Sequence, residues 1–325
     1  MNYKRIILFV LLLVIIRGCY LFEGTYTNLW QYGNNMGLSL DIANDTSYYL
    51  VTYYDSIEVF KSRNQGRFWA KQHSYDARWI YWSSLLSDDN MYIVMQNRED
   101  KSHIISRFNL SKKTTTVLHL PDSLNHGGLF CGASIWRGKD KHLRILLRSK
   151  NNEKRSIYRI NSSFDNILLE RMIPDSSKNY VRIIDDSIVV YQSKKTNNVV
   201  ISYPHKEDVF MALKDKHPWL YADGKVYLTA DSDTTDHYIY TINLINNQID
   251  TIPYYPFQTA VRYVNKDTIV TEMIARKYHR LYGVTKDYGQ TWKGIDPHIV
   301  FVNCKTVYKG KIYIFENGNF RSYPL

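Results

Sequence analysis

The chain has 325 residues, of which 44% are hydrophobic and 14% aromatic, and its formal net charge is +11. This length suits a large core or one domain built of repeats, and the 28 Tyr, 12 Phe and 7 Trp favour β-strands. The basic residues are scattered rather than gathered with aromatics in a dense cluster. This argues against a nucleic-acid partner and leaves a modest attraction to anionic glycans, lipids or proteins.

The N-terminus has the pattern of an export signal. Lys4 and Arg5 precede an unbroken apolar run over residues 6–16. A run of this length is typical of the core of a signal peptide, and it is too short to span a bilayer as a helix. We therefore expect the rest of the chain to lie outside the cytoplasm.

Residues 16–19, Ile-Arg-Gly-Cys, resemble a bacterial lipobox, although the arginine departs from the small or apolar residue usual at its place. We predict a signal peptide over residues 1–18, a short tether over 19–23 and a single domain over 24–325. The protein is then a lipoprotein of the bacterial cell envelope, in the outer membrane or the periplasm, attached to the membrane through a lipid on Cys19. Ordinary secretion and an uncleaved membrane anchor are the alternatives.

A strand, a polar turn and a second strand recur along the chain. Seven such turns follow one another at intervals of about 44 residues. They are centred near Asp45, Asp89, Lys141, Asp186, Gly224, Asp267 and Gly310. A period of about 40–45 residues with several short strands per unit is typical of propeller blades.

The second half of each unit repeats as well. Residues 104–110, 157–161 and 239–244 alternate apolar and polar side chains and then meet a polar turn. This pattern predicts a third strand, a hairpin and a fourth strand. We therefore predict an all-β fold, a β-propeller of seven blades with four antiparallel strands each, and six blades as the alternative.

The seventh unit is one strand short. After its turn only residues 311–315 and 319–323 are strand-like. Residues 25–31 precede the first unit and are strand-like too. We expect this segment to supply the missing outer strand of the seventh unit and to close the ring.

The most specific motif of the chain lies in residues 285–292, with a degraded copy in residues 62–69. The first matches Ser/Thr-x-Asp-x-Gly-x-Thr-Trp through Thr285, Asp287, Gly289, Thr291 and Trp292. The second keeps Ser62, Gly66 and Trp69, while Asn64 replaces the Asp and Phe68 replaces the Thr. In a tight hairpin the Asp or Asn accepts backbone hydrogen bonds, the Gly takes a positive φ, and the Trp buries a large ring.

This motif resembles the Asp box of the sialidase-type, or BNR-repeat, β-propellers. The box is structural in that family, so the resemblance implies the fold rather than an activity. Both copies fall in the hairpin predicted between the third and fourth strands of a unit, in the first and the sixth units. That hairpin is the place the family uses.

The same resemblance raises the possibility of an enzyme. Sialidase chemistry needs three arginines that hold a carboxylate, a tyrosine activated by a glutamate, and an aspartate for proton transfer. The resemblance implies Arg78, Arg182, Arg262 and Glu272 as the candidates, at or near the predicted innermost strands. The Arg-Ile-Pro motif of the family's first blade is absent, and residues 37–41 (Gly-Leu-Ser-Leu-Asp) stand in its place. Sialidase activity is therefore the alternative.

Aromatic residues on the predicted inner strands suggest a binding face. They are Trp79, Trp82, Trp136 and Trp219, with His217 near the last. An aromatic mouth suits a sugar or a peptide, although blade packing accounts for the same residues. We predict a non-catalytic binding propeller that recognises a protein or glycan partner on one face. The alternatives are a sialidase-like exo-glycosidase and a lipoprotein that protects or assembles one partner, as an immunity protein does.

No metal or cofactor is predicted. Residues 231–237 carry three carboxylates at a spacing that suits Ca²⁺, but they lack the Gly and the distal Glu of an EF-hand. An exposed hairpin loop explains them. Cys131 and Cys304 lie in short apolar runs of different units, which predicts two buried thiols rather than a disulfide.

Overall fold

The structure is a computed structural model. It describes residues 26–27, 36–53, 55–121, 124, 134–148, 155–173, 176–184, 188–193, 195–230, 238–253, 260–275, 279–295, 304–316 and 319–325. Within these ranges there are 28 β-strands and no α-helix, which confirms the all-β class. It follows that no helix in the same ranges is long and apolar enough to cross a bilayer.

The strands form seven antiparallel sheets, numbered in chain order. Sheet 1 contains β1 (Tyr26–Thr27), β2 (Met36–Ile42), β3 (Tyr48–Tyr53), β4 (Ile57–Ser62) and β5 (Trp69–Ser74). Sheet 2 contains β6 (Trp79–Ser87), β7 (Asn90–Asn97), β8 (His103–Asn109) and β9 (Thr115–His119). Sheet 3 contains β10 (Ser134–Arg137), β11 (Leu143–Arg148), β12 (Arg155–Ile160) and β13 (Ile167–Ile173).

The other four sheets follow the same order. Sheet 4 contains β14 (Ser176–Ile184), β15 (Ile188–Ser193), β16 (Val199–Ser202) and β17 (Val209–Met211). Sheet 5 contains β18 (Lys216–Ala222), β19 (Lys225–Ala230), β20 (Tyr238–Asn243) and β21 (Ile249–Pro253). Sheet 6 contains β22 (Ala260–Asn265), β23 (Thr268–Ala275), β24 (His279–Thr285) and β25 (Lys293–Ile295). Sheet 7 contains β26 (Cys304–Tyr308), β27 (Lys311–Glu316) and β28 (Asn319–Pro324).

In every sheet consecutive strands pair as an antiparallel meander, except that β1 of sheet 1 pairs with β5 and not with β2. Sheets 2 to 6 have four strands each, sheet 1 has a fifth at its edge, and three strands are described in sheet 7. Seven such sheets in succession make the protein a seven-bladed β-propeller. This confirms the predicted number of blades. The sequence could predict it because the turns recur once in every blade.

The prediction that residues 25–31 complete sheet 7 is wrong for the part that is described. Tyr26 and Thr27 pair instead with Ala70 and Trp69 of β5, at the outer edge of sheet 1. The pairing is physically reasonable because β5 offers a free edge that is much nearer along the chain.

The turns between first and second strands lie where the repeat predicted them, except that Asp186 is outside the described residues. Three of them are two-residue turns in which both residues have positive φ. These are Asp88–Asp89 at 46° and 58°, Asp223–Gly224 at 50° and 76°, and Lys309–Gly310 at 44° and 69°. Such turns match the twist of the flanking strands and favour Asp, Asn and Gly, which explains why the sequence marked them.

The described residues divide into two compact units. Unit 1 comprises those within 1–100, 106–116 and 302–324, and unit 2 comprises those within 101–105 and 117–301, with residue 325. In unit 1, sheets 1 and 7 share an apolar core. It contains Leu40, Tyr48, Leu50, Phe60, Trp69 and Tyr313, with Phe320 packed against it. The first and last sheets of the chain are therefore joined by side-chain packing.

In unit 2, each sheet packs on the next through a separate apolar cluster. Sheets 3 and 4 share Leu146, Ile157, Ile173, Val189, Tyr191 and Val200. Sheets 4 and 5 share Val190, Val199, Ile201, Val226, Leu228 and Ile242, among others. Sheets 5 and 6 share Tyr227, Ile239, Ile252, Val261, Val264 and Ile269. The alternation of apolar residues along each strand supplies both faces of every sheet.

Candidate functional site

Two loops carry the motif of the sequence, one between β4 and β5 and the other between β24 and β25. Box loop 1 (residues 62–69) lies in sheet 1, and box loop 2 (residues 285–292) lies in sheet 6. In box loop 1, Asn64 Oδ1 accepts hydrogen bonds from Ser62 Oγ and from the Phe68 N–H, both at 2.9 Å. Ser62 Oγ accepts another at 2.9 Å from the N–H of Gly66.

Box loop 2 repeats this hydrogen-bond network. Asp287 Oδ1 accepts hydrogen bonds from Thr285 Oγ1 at 2.7 Å and from the Thr291 N–H at 2.9 Å. Thr285 Oγ1 accepts one at 2.9 Å from the N–H of Gly289. Here the Thr291 hydroxyl also donates to Asp287 Oδ2. These bonds, led by the one from Thr285, lower the pKa of Asp287 to about 2.

Both box loops pack against a neighbouring sheet of their own unit. The Trp292 indole N–H donates to the Pro253 carbonyl of β21 at 3.2 Å. A Cβ on Gly289 would overlap Ile252 of the same strand, and a Cβ on Gly66 would overlap the Phe320 ring of β28. The two loops therefore act as structural joints between sheets.

The first strands of several sheets carry a β-bulge, and two bulges hold residues that the sequence singled out. Trp219 is the extra residue of β18, between the pairs of Pro218 and Leu220 with β19. Arg262 is the extra residue of β22, between the pairs of Val261 and Tyr263 with β23. A bulge leaves its extra residue outside the ladder and redirects its side chain, and bulges are common beside functional sites.

In unit 2 these bulges build a cluster that we call the arginine wall, made of Arg182, Trp219 and Arg262. The Arg262 guanidinium carbon lies 5.4 Å from the centre of the Trp219 ring. Arg182 of β14 donates from Nε to the Pro218 carbonyl at 3.3 Å. The strand β18 therefore has one arginine on either side, and the indole N–H of Trp219 is held by Thr229 Oγ1 at 2.6 Å.

The two arginines have different electrostatic surroundings. Arg262 Nε lies 2.5 Å from Oε2 of Glu272, which is 1% exposed. Arg182 keeps access to solvent, but surrounding protein desolvates its guanidinium. This desolvation, together with the charge of Arg262, lowers the pKa of Arg182 to about 10. The wall thus carries two guanidinium groups, and a buried carboxylate pairs with one of them.

The remaining predicted site residues lie elsewhere. Arg78 is in unit 1, in the loop before β6, where its side chain is 54% exposed and lies 3.6 Å from Asp76. Its guanidinium carbon is 5.6 Å from the centre of the Trp79 ring. Trp82 is the extra residue of a bulge in β6, as Trp219 is in β18. Arg78 therefore has a carboxylate partner within its own loop.

Two residues of the predicted binding face contribute to packing in unit 2. His217 of β18 is 1% exposed, so its side chain offers no surface to a partner. Trp136 of β10 is partly buried and packs against the cluster shared by sheets 3 and 4. Inner-strand position alone therefore did not identify exposed side chains: Trp219 is also partly buried and packs against the cluster shared by sheets 5 and 6. A sequence offers no composition signal for the extra residue of a bulge.

Some predicted sites lie outside the described residues. These are Cys19, the acidic loop at residues 231–237 and Cys131. Within the described ranges, no group of three His, Cys, Asp or Glu side chains could hold a metal ion.

Comparisons with known proteins place the fold but not an activity. No protein-family model matches the sequence, and no curated protein sequence matches it either. Among solved structures, YCF48 bound to D1 peptide is 14% identical with a TM-score of 0.61, over 89% of this chain and 92% of that one. A streptogramin B lyase is 12% identical with a TM-score of 0.59, over 88% and 92%. An oligogalacturonate lyase in complex with manganese is 10% identical with a TM-score of 0.60, over 84% and 83%. Proteins of this fold thus include peptide-bound ones and lyases.

Proposed function

We propose that this chain is a non-catalytic binding propeller, and that the arginine wall takes an anionic group of a protein or glycan partner. The observation that carries the proposal is the charge of the wall: the guanidinium of Arg262 lies over the Trp219 ring, that of Arg182 lies at the Pro218 carbonyl, and one carboxylate, Glu272, pairs with Arg262. Partial desolvation and the like charge of Arg262 lower the pKa of Arg182. A second carboxylate would relieve this cost through charge-assisted hydrogen bonds.

The chemistry of the wall favours a ligand in which a carboxylate lies close to a sugar ring or an aromatic ring. Guanidinium groups hold carboxylates with directed hydrogen bonds, and an indole ring offers a face to a sugar or to an aromatic side chain. The bulges on β18 and β22 fix both side chains on strands rather than on loops. Such a site is preorganised, so little conformational entropy is lost when a ligand binds.

Calorimetry with two carboxylate probes tests this proposal. N-acetylneuraminate and an acetylated glutamate amide represent a glycan and a protein source. We expect saturable binding of at least one, weakened about tenfold or more in Arg182→Ala. The matched control is Arg78→Ala, which removes an exposed guanidinium already paired with Asp76 and should bind like the wild type. Equal binding by Arg182→Ala and the wild type would overturn the proposal.

A sialidase-like hydrolase remains the second candidate, because Arg182, Arg262 and Glu272 come together in one unit. The same chemistry needs a tyrosine that reaches the substrate. Tyr282 lies opposite Glu272 in the β23–β24 register and is fully buried, which favours binding over catalysis. Hydrolysis of a fluorogenic sialoside, lost in Arg182→Ala, would replace the binding function with a catalytic one.

Export and lipid attachment at Cys19 complete the proposed function. The support is the sequence of residues 4–19, with its basic start, apolar run and terminal Gly-Cys pair. Labelling of cells with a palmitate analogue should mark the wild type and leave Cys19→Ala unlabelled and released from the membrane. If Cys19→Ala changes neither the size nor the location of the protein, lipid attachment is refuted and export by ordinary secretion is left.

A further inference from the structure

A cleft of about 580 Å³ opens in unit 1, between sheets 1 and 2. One wall is a row of paired residues across sheet 1, in which Tyr49 of β3 lies opposite Asp41 of β2 and Lys61 of β4. The opposite wall includes the two-residue turn of sheet 2, Asp88 and Asp89. We call it the acidic cleft, because three aspartates and one lysine line it.

Asp41 is the unusual group of the cleft. It is partly buried, and in the described part of the chain its hydrogen-bond donor is Ser39 Oγ at 3.1 Å. No Lys or Arg of the described residues lies within ion-pair distance of it; the ammonium of Lys61 is placed over the Tyr49 ring instead, 5.2 Å from its centre. Burial raises the pKa of Asp41 to about 6. An enclosed carboxylate without a cation costs stability.

A chain of hydroxyl groups fixes Asp41 in place. Ser84 of β6 donates to Ser39 Oγ at 2.7 Å, and the Tyr81 hydroxyl lies 3.0 Å from Ser84 Oγ. These groups tie the carboxylate of sheet 1 to the first strand of sheet 2. A carboxylate held in this way is preorganised to accept a further donor from the cleft.

Leu110 stands in sheet 2 at the place that Tyr288 of box loop 2 has in sheet 6. The Leu110 N–H donates to the Asp89 carbonyl at 2.9 Å, as the Tyr288 N–H donates to the Asp267 carbonyl at 3.1 Å. The Tyr288 hydroxyl also accepts a hydrogen bond from Lys225 Nζ at 3.2 Å, which a leucine cannot do. Sheet 2 has no box loop there. Its short turn is held by Asn109, whose Oδ1 accepts the Lys112 N–H at 2.7 Å, and it presents Leu110 to the cleft.

From this geometry we propose that the acidic cleft binds an organic cation, an alkylammonium or alkylguanidinium group whose charged end meets Asp41. The apolar side chains of Leu86 and Leu110 line the cleft and would pack on the alkyl stem. A metal ion is a poorer occupant, because the described acidic residues form no group of three that could hold one. Free amines and the lysine side chain of a partner protein share this chemistry.

Calorimetry on the full chain at pH 7.5 tests the proposal with three probes. Cadaverine represents a free amine, Nα-acetyl-lysine amide represents a protein side chain, and Nα-acetyl-norleucine amide is the uncharged control. We expect saturable binding of cadaverine or the lysine probe and none of the norleucine probe. If the lysine probe binds more tightly than cadaverine, the ligand is a lysine side chain of a partner protein. If cadaverine binds more tightly, the ligand is a free amine. Binding of neither cation, or equal binding of norleucine, would overturn the proposal.

Variants assign the binding to the cleft. Asp41→Asn should weaken cation binding about tenfold or more, because it removes a charge-assisted hydrogen bond. The double change Asp88→Asn with Asp89→Asn should weaken it less; Asn accepts the positive φ of this turn, so the fold is kept. Glu207→Gln, which alters an exposed acid of unit 2, is the matched control and should bind normally. Unchanged binding in Asp41→Asn would refute the site.

The pH dependence gives an independent readout. The charged and titratable groups that line the cleft with Asp41 are Tyr49 and Lys61 of sheet 1 and Asp88 and Asp89 of sheet 2, and the charge of Lys113 interacts with Asp89. Protonation of Asp41 below pH 6 removes the charge that the cation meets. Affinity should therefore fall about tenfold from pH 7.5 to pH 5 in the wild type and hardly change in Asp41→Asn. A flat wild-type profile would contradict the role of Asp41.

Discussion

At the scale of single residues, two glycines show why the box loops tolerate so little change. Gly66 and Gly289 have φ values of 83° and 91°, and each lies against a side chain of a neighbouring sheet. A Cβ at either position would be strained by the backbone and would also overlap that neighbour. The loops need glycine for close approach as much as for conformation.

Alanine substitutions separate these two requirements. Gly289→Ala should lower the free energy of unfolding by roughly 2–4 kcal/mol, because its Cβ overlaps Ile252 and lies 3.0 Å from the Pro253 carbonyl oxygen. Gly224→Ala is the matched control: its φ of 76° is similar, but nothing lies within 4 Å. It should cost about 1 kcal/mol. Urea unfolding measures both, and equal losses would show that the close approach is unimportant.

Asp41 supplies a second prediction at this scale. Its pKa in the folded chain, about 6, lies above the ordinary value, so the folded state holds the proton more tightly than the unfolded chain does. Stability therefore rises as the pH falls through 6 and levels off near the ordinary pKa of about 4. Asp41→Asn should stabilise the protein at pH 7.5 by about 2 kcal/mol and by much less at pH 4. Urea unfolding at the two pH values checks this, and destabilisation at both would contradict it.

At the scale of structural elements, the two box loops differ in a way that their contacts explain. In box loop 2 the second carboxylate oxygen of Asp287 accepts the Thr291 hydroxyl. In box loop 1 Phe68 stands at the place of that threonine and brings no hydroxyl, so the single amide oxygen of Asn64 is enough. The two departures of box loop 1 from the motif, Asn64 in place of Asp and Phe68 in place of Thr, therefore go together.

This account predicts how box loop 2 responds to substitution. Asp287→Asn keeps the oxygen that accepts the Thr285 hydroxyl and the Thr291 N–H, whereas Asp287→Ala removes it. Amide hydrogen exchange at Gly289 and Thr291 should be close to wild type in Asp287→Asn and much faster in Asp287→Ala. In the wild type, protection should be lost only near pH 2, where Asp287 becomes protonated. Equal exchange in the two variants would show that the acceptor oxygen is not what orders the loop.

The sequence predicted these elements because their chemistry is local. Hairpin turns such as Asp88–Asp89 need residues that accept positive φ, and box loop 2 needs an acceptor, a glycine and a tryptophan in a fixed order. The arginine wall was predicted only as separate residues. Its geometry depends on bulges at Trp219 and Arg262, where one extra residue leaves the ladder and its side chain is redirected.

At the scale of the whole molecule, the repeat length predicted seven sheets, but not how the first and last are joined. A sequence period counts units and leaves open which edge a terminal strand selects. The described residues of the first strand pair with β5 in sheet 1, while sheet 7 packs against sheet 1 through aromatic side chains. Phe320 stands 5.5 Å from Trp69 and 5.8 Å from both Tyr48 and Tyr313, measured between ring centres.

This packing makes Phe320 a central residue in the join of sheets 1 and 7. The Phe320 ring packs against three aromatic side chains and occupies the space that a Cβ on Gly66 would need. Phe320→Ala removes this ring and should lower the free energy of unfolding by about 3 kcal/mol. Phe210→Ala is the matched control, because Phe210 of β17 is 64% exposed, and it should change stability by less than about 0.5 kcal/mol. Hydrogen exchange should locate the loss in β4, β5, β27 and β28, because those strands carry the rings and the loop that Phe320 covers. A loss of similar size in Phe210→Ala, or one spread evenly over all sheets, would mean that side-chain packing between the first and last sheets is not what holds them together.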